Sequence, residues 1–144
     1  MPHHEQTCIR QAIVVTQFTT KDRTMFSVQL TQFSRAYIQC ALWSSSDDND
    51  IPLDRNYSYK DIAIQTLQAM QNDCDKFQSD NFDDISDDLE LAAHNFWLTR
   101  NGHGSGFWDC DEYSNESQTI LSASSEKFGT YDLYIGDDNQ IHGS

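Results

Sequence analysis

The stretch Phe96-Trp97-Leu98-Thr99-Arg100-Asn101-Gly102-His103-Gly104-Ser105-Gly106-Phe107-Trp108-Asp109 decides how this sequence is read. It sets an aromatic pair on either side of a polar loop. A ring that enters a core buries roughly 150–250 Å², so Phe96, Trp97, Phe107 and Trp108 are expected to pin both ends of the loop. Between them Gly102, Gly104 and Gly106 fall at every second position. Glycine admits positive φ and close approach of backbone to another group, and Asn101-Gly102 is a turn signal. Arg100, Asn101, His103, Ser105 and Asp109 add a cation, an amide, an imidazole, a hydroxyl and a carboxylate. A loop so furnished and anchored is a candidate site.

Two readings of the loop stay open. In the first it binds a small ligand through Arg100, Asn101, Gly102, His103, Gly104, Gly106, Trp108 and Asp109. The glycine amides would receive an anion or oxyanion, and Arg100 would pair with a phosphate or carboxylate. His103 would act as general acid or base with Asp109 orienting it. In the second the loop is a tight turn whose polar groups satisfy their own backbone. The spacing matches neither a P-loop nor a dinucleotide-binding fingerprint.

Working back from the loop, residues 87 to 98 form a helix that buries Leu89, Ala92, Ala93, Phe96 and Trp97. Ser86 is its expected N-cap, and acids in the first turn suit the positive end of a helix. His94 faces the loop or is a satisfied, half-buried histidine. Before it, Asp80, Asp83, Asp84, Asp87, Asp88 and Glu90 make six acids in eleven residues, with Phe82 and Ile85 as apolar footholds. Ala63, Leu67, Met70, Cys74 and Phe77 step by four, three, four and three, the mark of an amphipathic helix. Ser58 to Asp61 fits a capping box at its start. Phe26, Leu30, Phe33, Tyr37 and Ala41 predict an earlier helix, capped by Thr24 and ending near Trp43. A polar loop follows. Its Asp47, Asp48, Asp50 and Asp54 lack the central glycine and closing glutamate of a calcium loop, so no metal is expected. Residues 1–23 are ambiguous between helix and strand.

Working forward, Asn115 or Ser117 caps a last helix that buries Ile120, Leu121, Ser124 and Phe128, with Gly129 as its terminal glycine. Tyr131 to Ile135 alternates like a strand, Gly136-Asp137-Asp138-Asn139 makes a turn, and Gln140-Ile141-His142 returns. A two-stranded ribbon is unstable alone, so it is expected to lie on the helices, over the glycine loop. The predicted fold is α+β and mostly helical, with about four helices and a small C-terminal antiparallel β-ribbon. At 144 residues the chain is expected to be a single domain spanning 1–144.

The charge is uneven. Residues 1–43 carry a balance of +2, residues 44–112 one of −12 and residues 113–144 one of −4, giving −14 in all. Such a field repels phosphate backbones, which argues against direct nucleic-acid binding, and attracts basic surfaces. Asp47, Asp48, Asp50, Asp80, Asp83, Asp84, Asp87 and Asp88 are the candidate partner-binding surface. Cys8, Cys40, Cys74 and Cys110 contain no Cys-x-x-Cys pair, which argues against a zinc ribbon or redox dithiol. Cys110, beside the loop, is a spectator thiol or a nucleophile. No apolar run approaches the length of about 18 residues that a membrane span needs, and the N-terminus lacks a secretion signal. A soluble cytoplasmic protein with no cofactor is expected.

Several segments together resemble a family of small acidic proteins encoded by phages, prophages and plasmids. They are Ala41-Leu42-Trp43-Ser44-Ser45, Pro52-Leu53-Asp54 with Asn56-Tyr57, Thr66-Leu67 with Met70, Asp73-Cys74 with Phe77, the Phe96–Asp109 motif, and Asp132-Leu133-Tyr134-Ile135-Gly136-Asp137-Asp138. The likeness spans Phe33 to His142. It implies an origin in a mobile element and brings no catalytic residues. Three function classes follow: a binding module that meets a basic or nucleic-acid-binding host protein through carboxylates placed as DNA phosphates would be, a ligand pocket or hydrolytic site at the central loop, or a structural protein with no site.

Overall fold

A computed structural model describes residues 28–85 and 87–144 of the chain. The expected caps Thr24 and Ser86, together with Phe26 and the ambiguous residues 1–23, lie outside the described residues. Within them run five α-helices, α1 (Gln32–Ser44), α2 (Leu53–Asn56), α3 (Ile64–Asp80), α4 (Leu89–Arg100) and α5 (Asn115–Glu126). Two strands follow, β1 (Leu133–Ile135) and β2 (Ile141–Gly143). Single 3-10 turns cover Tyr59–Asp61 and Phe107–Asp109. This is the mostly helical α+β fold with a terminal ribbon. Among the described residues no helix is long and apolar enough to cross a membrane.

The helical stepping is right and several starts shift. α1 buries Phe33, Tyr37 and Ala41 as the spacing requires. It begins at Thr31, whose Oγ1 accepts from Ser34 N at 3.1 Å while Ser34 Oγ accepts from Thr31 N at 2.8 Å. This is a capping box with serine in place of the usual acid, so Leu30 precedes the helix. The Ser58–Asp61 box also forms, but it opens only the 3-10 turn. Helix stops at Ile62 because that residue bridges to Ile141, and α3 starts afterwards with no side-chain cap at Ala63. α4 is capped by Asp88, whose Oδ1 accepts from Leu91 N at 3.1 Å. Asp88 is therefore the cap and Asp87 lies before the helix. α5 is capped by Ser114 rather than by Asn115 or Ser117. It buries Leu121 and leaves Ile120 39 % exposed. Gly129 takes φ +76 beyond its end.

Aromatic rings make the centre of the core. Phe77 of α3 and Phe96 of α4 stack nearly parallel, 8° apart with centroids at 4.1 Å. Phe33, Phe107 and Phe128 surround Phe77 at 5.8 to 6.3 Å. Each such pair adds about 0.5–1.5 kcal/mol beyond area burial. Phe96, Trp97 and Phe107 are the buried pins expected of the central stretch, but Trp108 is 53 % exposed. Adjacent residues on one 3-10 turn point in different directions, and Phe107 takes the inward one.

The ribbon pairs Leu133 with Gly143, Tyr134 with His142 and Ile135 with Ile141. It does not lie over the glycine loop. Ala63 N donates to Ile141 O at 2.9 Å and Gly143 N to Thr66 Oγ1 at 3.2 Å, so β2 is fastened to the start of α3. Ile141 is fully buried there, and the Ala63 amide at the uncapped start of α3 finds an acceptor. The glycine loop reaches the approach to the ribbon through Asn101 Oδ1, which accepts from Tyr131 N at 2.8 Å.

Candidate functional site

The central loop is built from the end of α4. Arg100 closes the helix, Gly102 takes φ +68, Gly102 N donates to Thr99 O at 3.2 Å, and His103 N donates to Leu98 O at 3.0 Å. This pair of bonds is a Schellman motif, which ends a helix on a left-handed glycine. Asn101 Nδ2 returns to Trp97 O at 3.0 Å. Gly106 is needed for a different reason: a Cβ there would collide with Thr99 Oγ1. That hydroxyl accepts from Phe107 N at 3.0 Å. Around Gly104 there is open space, and no contact demands glycine.

Arg100 is enclosed by protein. Its side chain is 3 % exposed. Nε donates to Gly129 O at 2.7 Å, Nη2 to Phe128 O at 3.0 Å, and Nη1 to both Tyr37 Oη and Asp73 Oδ2 at 2.9 Å. The guanidinium also lies 5.3 to 5.7 Å from the ring centroids of Phe96, Phe128 and Tyr131. Burial opposes its charge, yet Tyr37 and Asp73 beside it hold its pKa above the ordinary arginine value. Burial also pushes the Tyr37 hydroxyl well up, so it stays protonated and accepts from the guanidinium. The cation is a knot joining α1, α3, α4 and the link from α5 to the ribbon. Sequence reading missed Tyr37 and Asp73 as its partners.

Among the described residues no hydrogen bond joins His103 to Asp109. Asp109 Oδ1 accepts from Gly106 N at 3.0 Å and closes the 3-10 turn, and both side chains belong to exposed residues. Asn101 and Gly102 serve the helix end, Gly106 serves a close contact, and Trp108 faces outward. The loop is a built turn in which the side chains of Thr99, Asn101 and Asp109 bond to backbone groups in and beside it. Cys110, next along, is half-buried. No family model, curated protein or solved structure matches this chain.

The carboxylates fall into two groups. Asp80, Asp83, Asp84, Asp87 and Asp88 share the connection from α3 to α4. Asp47, Asp48 and Asp50 occupy the turn after α1, where Asp47 Oδ1 accepts from Asn49 N at 2.8 Å and Ile51 N at 3.0 Å, and Asp50 takes φ +64. Asp80 pairs with Lys76 at 3.0 Å, and Asp84 Oδ1 accepts from Ser117 Oγ at 3.1 Å. Phe82 is not a foothold: it is 65 % exposed, while Ile85 is half-buried. Among the described residues no cluster of three His, Cys, Asp or Glu side chains is placed to hold a metal ion.

One further cleft lies at the ribbon, about 470 Å³, lined by Tyr134, Ile135, Gly136, Asp137, Asp138 and His142. His142 Nε2 sits 3.0 and 3.1 Å from the two Asp138 oxygens, and this bond holds the Asp138 carboxyl below the usual range. His142 also stacks on Tyr134 with ring centroids 5.7 Å apart.

Proposed function

We propose that this chain is an accessory protein of a phage or other mobile element. It acts in the host bacterial cytoplasm and binds a basic host or defence protein, one that normally holds nucleic acid, with its carboxylates standing where phosphates would. The observation that carries the reading is the surplus of acid at the surface. Residues 28–144 hold 21 Asp and Glu against six Lys and Arg. Of those six, Arg100 is buried on Asp73 and Lys76 is engaged by Asp80. Complementary charge of this kind mainly speeds association and sets specificity. The resemblance of residues 33–142 to small acidic proteins of mobile elements supports the same reading. The pocket alternative loses support because Arg100 is enclosed and Asp109 is bonded to Gly106 N and not to His103.

The test is capture from a host lysate on the immobilised protein at low salt. A basic nucleic-acid-binding protein should be retained. Duplex DNA and salt of about 0.2 M should each release it, as expected for contacts that replace phosphates. His103→Ala should capture equally well. If no basic protein is retained, or if duplex DNA fails to displace it, the mimicry reading is wrong.

A further inference from the structure

Phe82 is the most exposed large apolar side chain among the described residues, at 65 %. It lies in the turn that follows α3, and two bonds fix that turn against α5. Asn81 Nδ2 donates to Ser124 Oγ at 2.8 Å, and Ser117 Oγ donates to Asp84 Oδ1 at 3.1 Å. Ile120 lies between those two serines along α5, and its spacing of three and four residues from them puts it on their side of the helix. It is 39 % exposed. An exposed aromatic and a part-exposed aliphatic side chain therefore belong to two segments that are bonded to each other on either side of them. Near them along the chain stand Asp80 at the end of α3, Asp83 and Asp84 in the turn, Asp87 just beyond it, and Glu116 one helical turn before Ile120.

We propose that Phe82 and Ile120 are the apolar anchor of a docking surface whose occupant is a lysine- or arginine-rich amphipathic helix of the partner. An apolar centre inside a charged rim is the anatomy of a binding hot spot. The rim here is acidic, so the complementary surface is apolar with cationic edges. Lysine and arginine meet both needs, because their stems lie along apolar surface while their heads reach the carboxylates. A second copy of this chain does not suit the place. Two copies would bring −14 against −14, and two side chains fall far short of the roughly 800 Å² per partner of a stable interface. This inference rests on the basic-partner reading and names the partner's contact.

The test uses the full chain and two synthetic peptides in fluorescence anisotropy: a lysine–leucine amphipathic helix and a lysine peptide of equal charge with no apolar face. The wild type should bind the amphipathic peptide more tightly. Phe82→Ala should weaken that binding about tenfold, the scale of a hot-spot aromatic, and leave the lysine peptide and the circular-dichroism melt unchanged. Trp43→Ala, which removes a side chain 63 % exposed beside the other acidic turn, should change neither. Equal binding of the amphipathic peptide by Phe82→Ala and wild type overturns the anchor while leaving charge-based binding intact. Failure of both peptides to bind overturns the basic-partner reading itself. A dimer in sedimentation that Phe82→Ala dissociates overturns the choice of occupant.

Discussion

Replacing Arg100 with methionine keeps an unbranched stem and removes the guanidinium that ties the knot. The guanidinium is 3 % exposed and its carboxylate partner Asp73 is 31 % exposed. Removing one member of a buried pair costs about 3–5 kcal/mol, and the access of Asp73 to water places the charge part at the low end. The carbonyls of Phe128 and Gly129 lose their donor as well, at about 1 kcal/mol each or more. These losses are not additive, and about 4 kcal/mol is the expected total. That is a large share of the roughly 5–15 kcal/mol a domain has in all. At about 3 °C per kcal/mol for a chain of this size, the thermal midpoint should fall by more than about 10 °C. Arg100→Lys retains the charge against Asp73 but not the fork, and should lose about half as much. Thermal melts followed by far-ultraviolet circular dichroism read both variants. An Arg100→Met melt within about 2 °C of wild type, or an Arg100→Lys melt indistinguishable from it, would refute the structural role of the guanidinium.

Three more outcomes are expected. Gly106→Ala drives a methyl against Thr99 Oγ1 and should cost about 1–3 kcal/mol in urea denaturation, whereas Gly104→Ala meets nothing and should stay within about 0.5 kcal/mol of wild type. Burial pushes the Cys40 thiol up to about 11 and that of Cys74 well above its usual value, so alkylation followed by peptide mapping should modify half-buried Cys110 before either. His142→Ala should raise the Asp138 carboxyl toward the ordinary range in an NMR titration, with the Gln140 amide still holding it somewhat down. A depressed carboxyl stabilises the fold above its unfolded value, 3.8 for Asp138, and loses that contribution as pH falls through the folded value. That contribution is present at neutral pH, so His142→Ala should lower stability there and the difference should fade as pH falls below about 4; a His142-dependent difference that appears only in acid would contradict the assignment.

Much of the fold was legible because hydrophobic spacing is local. Leu67, Met70, Cys74 and Phe77 needed only the helical period, and the alternation in residues 131–135 needed only the strand period. Starts were harder. Thr31 and Ser34 make a capping box without an acid, so the usual signature was missing. Ser58 and Asp61 make the expected box, but what it opens depends on Ile141, far along the chain. The candidate site was legible only as an unusual loop. Gly102 could be read as a turn glycine from Asn101-Gly102, whereas the fate of Arg100 depended on Tyr37, Asp73, Phe128 and Gly129, which no local pattern joins to it. Phe82 gave a signal, an aromatic among aspartates in an aperiodic stretch, that fits a buried foothold as well as an exposed anchor.

The amide of Ala63 has a use beyond holding two pieces together. It is the first donor of a helix with no lock of its own, and its acceptor belongs to the last strand. Its exchange with deuterium thus requires that strand to lift, which makes one proton a reporter for the opening of the whole ribbon. Should partner binding tighten or loosen the C-terminal hairpin, the change would register at Ala63 before any helix melted.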